Sequence, residues 1–233
     1  MTDTYPISDA TRLKRHPERG NHDRACVHAI LDEALVCHLA FAAGAHVMAI
    51  PTVFARRGET VYVHGARANR SLDALAEGAP FSITVTLVDG LVFARSAFHH
   101  SMNYRSVVLT GTAREVTDRE EKLAAMAGLI DKLSAGRHAS LRPMHDWELD
   151  TTRLIAVEIE HASAKIRSGG PVESIDDVSH PVWGGVVPLR LVAGVPEPDE
   201  HVRDTTSPEI PSCLVAPTPS VAERRDRGSA SDA

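Results

Sequence analysis

"VYVHGARANRSLDAL", residues 61 to 75, begins as a strand and ends as a helix. Val61, Tyr62 and Val63 are the β-branched and aromatic types that fit a pleated surface. Gly65 breaks the run, Asn69 and Ser71 are good helix-capping residues, and Leu72 and Leu75 follow at helical spacing. His64, Arg67 and Arg70 stand at the changeover, three groups able to carry positive charge. Unpaired N–H groups at a helix start, reinforced by the helix dipole and by arginine donors, make a place for an anion such as a phosphate.

Outward from this corner the chain reads as an antiparallel β protein. "NHDRACVHAILDEAL" upstream has apolar residues at 27, 30, 31 and 35, a helical spacing. In "VCHLAFAAGAHVMAIPTVFARRGETVYVHG" strand-like runs are broken at Gly44 and Gly58 and close at Gly65, the rhythm of a meander. A short helix from about Ser71 to Glu77 interrupts it. In "FSITVTLVDGLVFARSAF" a β-branched alternation lies either side of Asp89-Gly90, which predicts a hairpin of two strands. "YRSVVLTGTAREV" (104 to 116) is a further strand with a glycine at its middle, "DREEKLAAMAGLIDKLS" (118 to 134) an amphipathic helix, and "RLIAVEIEHASAKI" (153 to 166) alternates again. Six or seven antiparallel strands with two or three inserted helices favour a closed or split β-barrel over a βαβ sheet. From about residue 194 the composition turns to Pro, Ser and charge, which cannot bury enough apolar area to offset its ordering entropy. The expected organisation is therefore one domain over 1–193 and a disordered tail over 194–233.

Composition narrows the function. With 25 Lys+Arg against 31 Asp+Glu the net charge is −6, so no global basic field draws the chain to nucleic acid or to an anionic membrane. Cys26, Cys37 and Cys213 are odd in number and far apart, which argues against a disulfide framework and a thiolate zinc site and fits a reducing cytoplasm. No apolar stretch is long enough to span a bilayer, and no signal sequence is visible at the start of the chain. The usual dinucleotide, nucleoside-triphosphate, zinc-protease and serine-hydrolase signatures are missing. His99 and His100, read as neighbours in a strand, point to opposite faces, so at most one faces a given pocket. Cys26 and Cys37 read as a helix-face thiol and a buried strand thiol. His145, Asp146 and Glu148 lie between a helix and a strand, where polar residues are ordinary. No metal site is expected.

The order and spacing of "HGARANRSL", "YRSVVLTG" and "SAKIR", with "HVMAIPT" before them and "PVWGG" after, resemble the flavin-nucleotide-binding branch of the pyridoxamine 5′-phosphate oxidase-like split-barrel superfamily, close to the nitroimidazole-resistance proteins. The resemblance runs from about residue 12 to 190. It implies a homodimer with flavin mononucleotide (FMN) in each of two grooves at the interface. The phosphate would lie at Arg67, Asn69, Arg70 and Ser71; backbone along Val47, Met48, Ile50, Pro51 and Thr52 would flank the isoalloxazine; Tyr104, Arg105 and Ser106 would meet it from a neighbouring strand. His64 matches a histidine placed beside the flavin, as a catalytic group. Lys165, Arg167 and Trp183 follow or end the last strand and would cover the groove, from the partner subunit in one arrangement. The basic substrate motif at the C-terminus of the pyridoxamine oxidases proper is lacking, which argues against vitamin B6 oxidation. The implied activity is an FMN-dependent oxidoreductase that reduces a small nitroaromatic or other small organic substrate with electrons from NAD(P)H or another donor. The alternatives are a flavin-storage module, or a haem- or deazaflavin-binding barrel in which His64, His99 or His100 would serve as ligand.

Overall fold

A computed structural model describes residues 3–202 and 206–215. In chain order its elements are strand β1 (Gly20–Asn21), helix α1 (Arg24–Glu33), β2 (Val36–Ala43), β3 (His46–Arg57), β4 (Thr60–Ala66), α2 (Arg70–Ala76), β5 (Phe81–Phe93), β6 (Ser101–Glu115), α3 (Arg119–Leu133), α4 (Asp146–Thr151), β7 (Thr152–Arg167), α5 (Ile175–Val178) and β8 (Gly185–Pro188). The helices begin where capping chemistry is available: Asp23 accepts from the Cys26 N–H, Asn69 from Ser71 and Asp118 from Glu121. Gly44 and Gly58 close the β2–β3 and β3–β4 hairpins with φ of 61° and 59°, a backbone region that favours glycine.

All strand pairs are antiparallel. The order β7-β4-β3-β2-β5-β6 returns to β7 through a β6–β7 ladder, so the six long strands close a barrel, with β1 on β7 and β8 on β5 as short additions. Alternation sends Cys37, Leu39, Phe54, Val61, Val63 and Ile83 inward, and α1 (Val27, Ile30, Leu31) and α2 (Leu72, Leu75) join the same cluster. The alternate residues Ala55, Tyr62, Leu154 and Ala156 face outward beneath Ala125 and Leu129 of α3, forming a second cluster. This is the mainly β split barrel with peripheral helices that the sequence predicts.

Several local expectations change. The predicted hairpin at Asp89-Gly90 is one strand: β5 runs through it with a register shift against β6 between Val88 and Gly90, a β-bulge. Gly90 lacks the positive φ that a two-residue hairpin turn needs, and it is small because β8 lies on it; a Cβ there would come 3.1 Å from Val186 Cγ1 and from the Val187 oxygen. The chain reverses instead through a 3-10 turn at Ala97–His99, so His99 and His100 are turn residues and not strand neighbours. His99 Nε2 lies 3.9 Å from Asp177, and His100 Nδ1 is 2.9 Å from the Ser96 oxygen. Gly111, mid-β6, marks a second bulge and is forced by contact: a Cβ would fall 1.7 Å from the Glu158 carbonyl oxygen. Of the expected tail, residues 206–215 include a 3-10 turn at Ser212–Leu214, and the Ala193 N–H donates to the Leu214 oxygen at 2.9 Å. Residues 216–233 lie outside the described residues.

Candidate functional site

β3 and β4 face each other only from Phe54↔Val63 to Arg57↔Thr60. Before Phe54, β3 stays with β2, from Val36↔Val53 to Ala43↔His46. Beyond Val63, β4 stays with β7, His64↔Leu154 to Ala66↔Thr152. The barrel therefore splits between the two strands, and the split is a cleft with two unlike lips. One lip is the edge of β3 over Val47, Met48, Ile50, Pro51 and Thr52, whose backbone has no ladder partner on that side among the described residues. Val47 (81%) and Met48 (45%) are exposed on it, and Pro51 removes one donor from the edge. The other lip is the β4–α2 corner.

At that corner the helix-start donors are largely used internally. Asn69 Oδ1 accepts from the Ser71 N–H at 3.0 Å and from Ser71 Oγ at 2.6 Å, while the Leu72 and Asp73 N–H groups go to the Asn69 carbonyl. Gly65 makes room for this cap, since a Cβ there would lie 2.8 Å from Asn69 Nδ2. Ser71 is buried, so Asn69 and Ser71 build the corner and the side chains of Arg67 and Arg70 supply its charge. Arg67 is exposed, with a 3.4 Å contact from Nη1 to the Asp150 oxygen; Arg70 is exposed with no partner among the described residues. Arg153, which the sequence reading did not single out, stands opposite Gly65 in register and pairs with Asp73 of α2 and with Glu115, tying the helix to the barrel.

His64 sits at the root of the cleft, where the strands part. It follows the parity of Tyr62 and faces outward, and its Nδ1 is buried with no hydrogen-bond partner. Burial pushes its pKa below the ordinary histidine value, which keeps the imidazole neutral. A buried polar atom without a partner is rare and costly, so this one points to a group outside the chain as its partner.

The remaining predicted residues are gathered on the β6–β7 ladder, away from this cleft within one chain. Tyr104 faces Arg167, Arg105 faces Ile166 and Ser106 faces Lys165. Lys165 is eleven residues along β7 from Leu154, the partner of His64, which is roughly 36 Å at about 3.3 Å per residue. Arg105 is committed to Asp89 (2.7 and 3.0 Å) and to Glu33, and these carboxylates raise its pKa further. Ser106 Oγ donates to the Lys165 oxygen at 3.3 Å. Arg167 is buried on Asn103 and the carbonyls of Gly169 and Gly170. Trp183 is exposed beside Phe93, at 5.9 Å between ring centroids. Glu148 is bound by Arg142 and the His145 N–H, a cap that holds its carboxyl near pKa 2 and leaves it a structural group.

A split barrel whose opening carries two arginines on one lip and bare backbone on the other defines a class of cofactor-binding folds. The chain matches the pyridoxamine 5′-phosphate oxidase family over residues 23–166, and it belongs to that family. Among solved structures it is similar to the flavocytochrome Anf3 from Azotobacter vinelandii, at 35% identity and a TM-score of 0.80 over 89% of this chain and 95% of that one. It is also similar to an FAD- and haem-binding protein from Mycobacterium smegmatis, at 33% identity and a TM-score of 0.77 over 84% of this chain and 95% of the other. A candidate 5-nitroimidazole antibiotic resistance protein from Bacteroides thetaiotaomicron shares the fold at 18% identity and a TM-score of 0.55, over 63% of this chain and 86% of that one. No curated protein matches the chain.

Proposed function

We propose that the chain binds a flavin nucleotide in the cleft between β3 and the β4–α2 corner, together with a haem, and carries electrons between a donor and a small-molecule acceptor. The observation that carries the flavin half is the parting of β3 from β4: a free strand edge on one side and, on the other, two cations without carboxylate partners among the described residues and the orphaned Nδ1 of His64. The haem half is supported by the two relatives at 33% and 35% identity, one a flavocytochrome and the other an FAD- and haem-binding protein. Bound flavin supplies hydride and single-electron chemistry that side chains lack.

The protein's own part is binding, orientation and proton placement. Arg70, with Arg67 beside it, holds the phosphate by charge-assisted hydrogen bonds. The β3 edge from Val47 to Thr52 offers backbone donors and acceptors to the heteroatoms of a flat ring. His64, neutral because it is buried, either accepts or donates one hydrogen bond at Nδ1 according to its tautomer, and so fixes the ring's position at the root of the cleft. Arg67 and Arg70 would hold the single phosphate of FMN or one phosphate of the FAD diphosphate. A second copy of the chain is part of the reading: it would cover the exposed Val47 and Met48 and bring Tyr104, Arg105, Ser106, Lys165 and Arg167 of its own ladder to the groove.

The test is the visible spectrum of purified protein with the mass of the extracted flavin. Flavin bands with a Soret band, both responding to NAD(P)H or dithionite, support the reading, and the mass decides between FMN and FAD. Protein that takes up neither group from solution would overturn it. Light scattering on loaded protein at several dilutions tests the shared groove, and a monomer that keeps its flavin would remove the partner from the site.

A further inference from the structure

A second opening lies between α3 and the chain that follows it. α3 turns Ala125 and Leu129 to the barrel, where they close the outer cluster over Ala55 and Tyr62. Leu123, Ala127 and Ile130, spaced four and three residues apart, form a further apolar stripe on the same helix. After α3 the chain turns at Arg137–Ser140 and returns to this stripe, bringing Leu141, Pro143 and Met144 against it. Ala124 and Ala127 are too small to fill the space between, and a cavity of about 920 Å³ remains, a volume in the range of small-molecule sites. All of its walls come from α3, α4 and the segment that joins them, so it stands apart from the flavin cleft.

The charges around this cavity select against an ion. Arg142 is bound by Glu148 through both terminal guanidinium nitrogens, at 2.6 and 2.9 Å. An anion therefore finds no free cation among the lining residues, and a cation finds only the exposed Glu120. With apolar walls and no counter-ion inside, the ligand that fits is uncharged. One polar group is left to orient it. His138 lines the cavity, and Asp131 holds it twice, accepting from its backbone N–H at 3.0 Å and lying 2.5 Å from its Nδ1. A carboxylate at Nδ1 keeps the proton of a neutral imidazole on that nitrogen, so Nε2, which has no partner among the described residues, is an acceptor held in a fixed direction. Met126 and Met144 add polarisable thioethers, which suit the face or edge of an aromatic ring.

We propose that this cavity binds a neutral aromatic molecule bearing a hydroxyl group, with the ring against Met126 and Met144 and the hydroxyl donating to His138 Nε2. Each part of the site has its own work: the apolar stripe and the methionines take the ring, the paired Arg142 and Glu148 exclude carboxylates and phosphates, and the Asp131–His138 pair reads the hydroxyl.

The experiment is a titration of the full-length protein, labelled with carbon-13 at its methionine methyl groups, with 2-naphthol and separately with 2-methoxynaphthalene, read by nuclear magnetic resonance. The pH is about 8, where an imidazole of ordinary pKa is uncharged. The two probes share the ring, and only the first can donate. His138 is half exposed, so His138→Phe keeps a ring in place and removes the acceptor, and an unchanged Tm verifies the fold. The expected result is a saturable shift of the Met126 and Met144 methyls with none at Met48 on the flavin lip. Wild type should bind 2-naphthol about fivefold or more tighter than its methyl ether, the share of one neutral hydrogen bond. That preference should vanish in His138→Phe. No saturable shift at Met126 or Met144, or a shift confined to Met48, overturns the site. Equal affinity of wild type for the two probes, or a preference for 2-naphthol that persists in His138→Phe, overturns the role of His138 and with it the hydroxyl-bearing class of ligand.

Discussion

Phe54 and Val63 are the last residues of β3 and β4 to face each other; one step further, Val53 has turned to Val36 and His64 to Leu154. That parting of two neighbours makes the cleft. It leaves His64 where pairing with β3 has stopped, pairing with β7 continues and burial has not ended.

His64 is therefore expected to make cofactor-free protein acid-sensitive. Its folded pKa lies below the ordinary 6.5, so as pH falls through that value the unfolded chain takes the proton first, and stability falls with pH. Above pH 6.5 the effect is absent. Urea unfolding of flavin-free wild type and His64→Leu should show a stability difference that shifts against wild type as the pH is lowered below about 6.5. Parallel pH dependence of the two proteins would mean that the imidazole is not held neutral.

Arg70 is exposed and has no partner among the described residues, so Arg70→Ala should leave thermal stability unchanged. If it holds the flavin phosphate, its loss removes about one charge-assisted hydrogen bond, roughly 1.5–3 kcal/mol of flavin affinity. Fluorescence titration of flavin-free protein measures this directly. Equal affinity in a folded variant would take Arg70 out of the site. Ser71→Ala, by contrast, should act on the helix cap at Asn69 and lower stability more than it weakens flavin binding.

The long strands and helices α1 to α3 were legible because each is announced locally, by alternation along the strands, caps at Asp23, Asn69 and Asp118 and glycines at the two hairpins, whereas β1, β8, α4 and α5 were not read. Asp89-Gly90 was misread for a physical reason. A tight turn and a bulge both favour glycine, and what distinguishes them here is β8, which packs on Gly90 from almost a hundred residues away in sequence. The strand-to-helix changeover was read where it lies, yet whether Asn69 and Ser71 turn their oxygens to a ligand or to each other is a rotamer choice that composition does not encode. Arg105 is the same case at longer range, since its carboxylates come from residues 16 and 72 positions away.

Gly111→Ala should be among the most damaging single substitutions. The added Cβ would meet the Glu158 carbonyl at 1.7 Å, with Glu158 C at 2.9 Å and the Glu160 nitrogen at 3.1 Å, all backbone atoms that cannot swing aside. The β6–β7 ladder that closes the barrel must then open at its bulge. Overpacking against rigid backbone costs about 3 kcal/mol or more. Thermal unfolding should register a large drop in Tm. The control is Gly128→Ala, where the nearest atom is Arg57 Cδ at 3.5 Å in ordinary contact; it sits within α3 and should hold or raise stability.

Lys132 gives a pH dependence of the opposite origin. Its stem runs from α3 under the barrel, with Nζ 4.0 Å from the Phe54 ring centroid and donating to the Leu31 oxygen at 2.8 Å, near the end of α1. Burial lowers its pKa from the ordinary 10.5 to about 8. Between those values the unfolded chain keeps a proton that the folded protein has released, so raising the pH through this window stabilises the fold. Below about pH 8 both states are protonated and the contribution is flat. Lys132→Met retains the apolar stem and removes the titration, along with a hydrogen bond worth about 1 kcal/mol. Cys37, whose thiol is pushed up to about 12, and Tyr5, whose hydroxyl is raised by burial and by Glu59, titrate in both proteins. The difference between wild type and variant therefore isolates Lys132: it should move in favour of wild type from pH 8 to 10 in urea unfolding. A difference that stays constant over that range would show that the ammonium is as well solvated in the fold as in the unfolded chain.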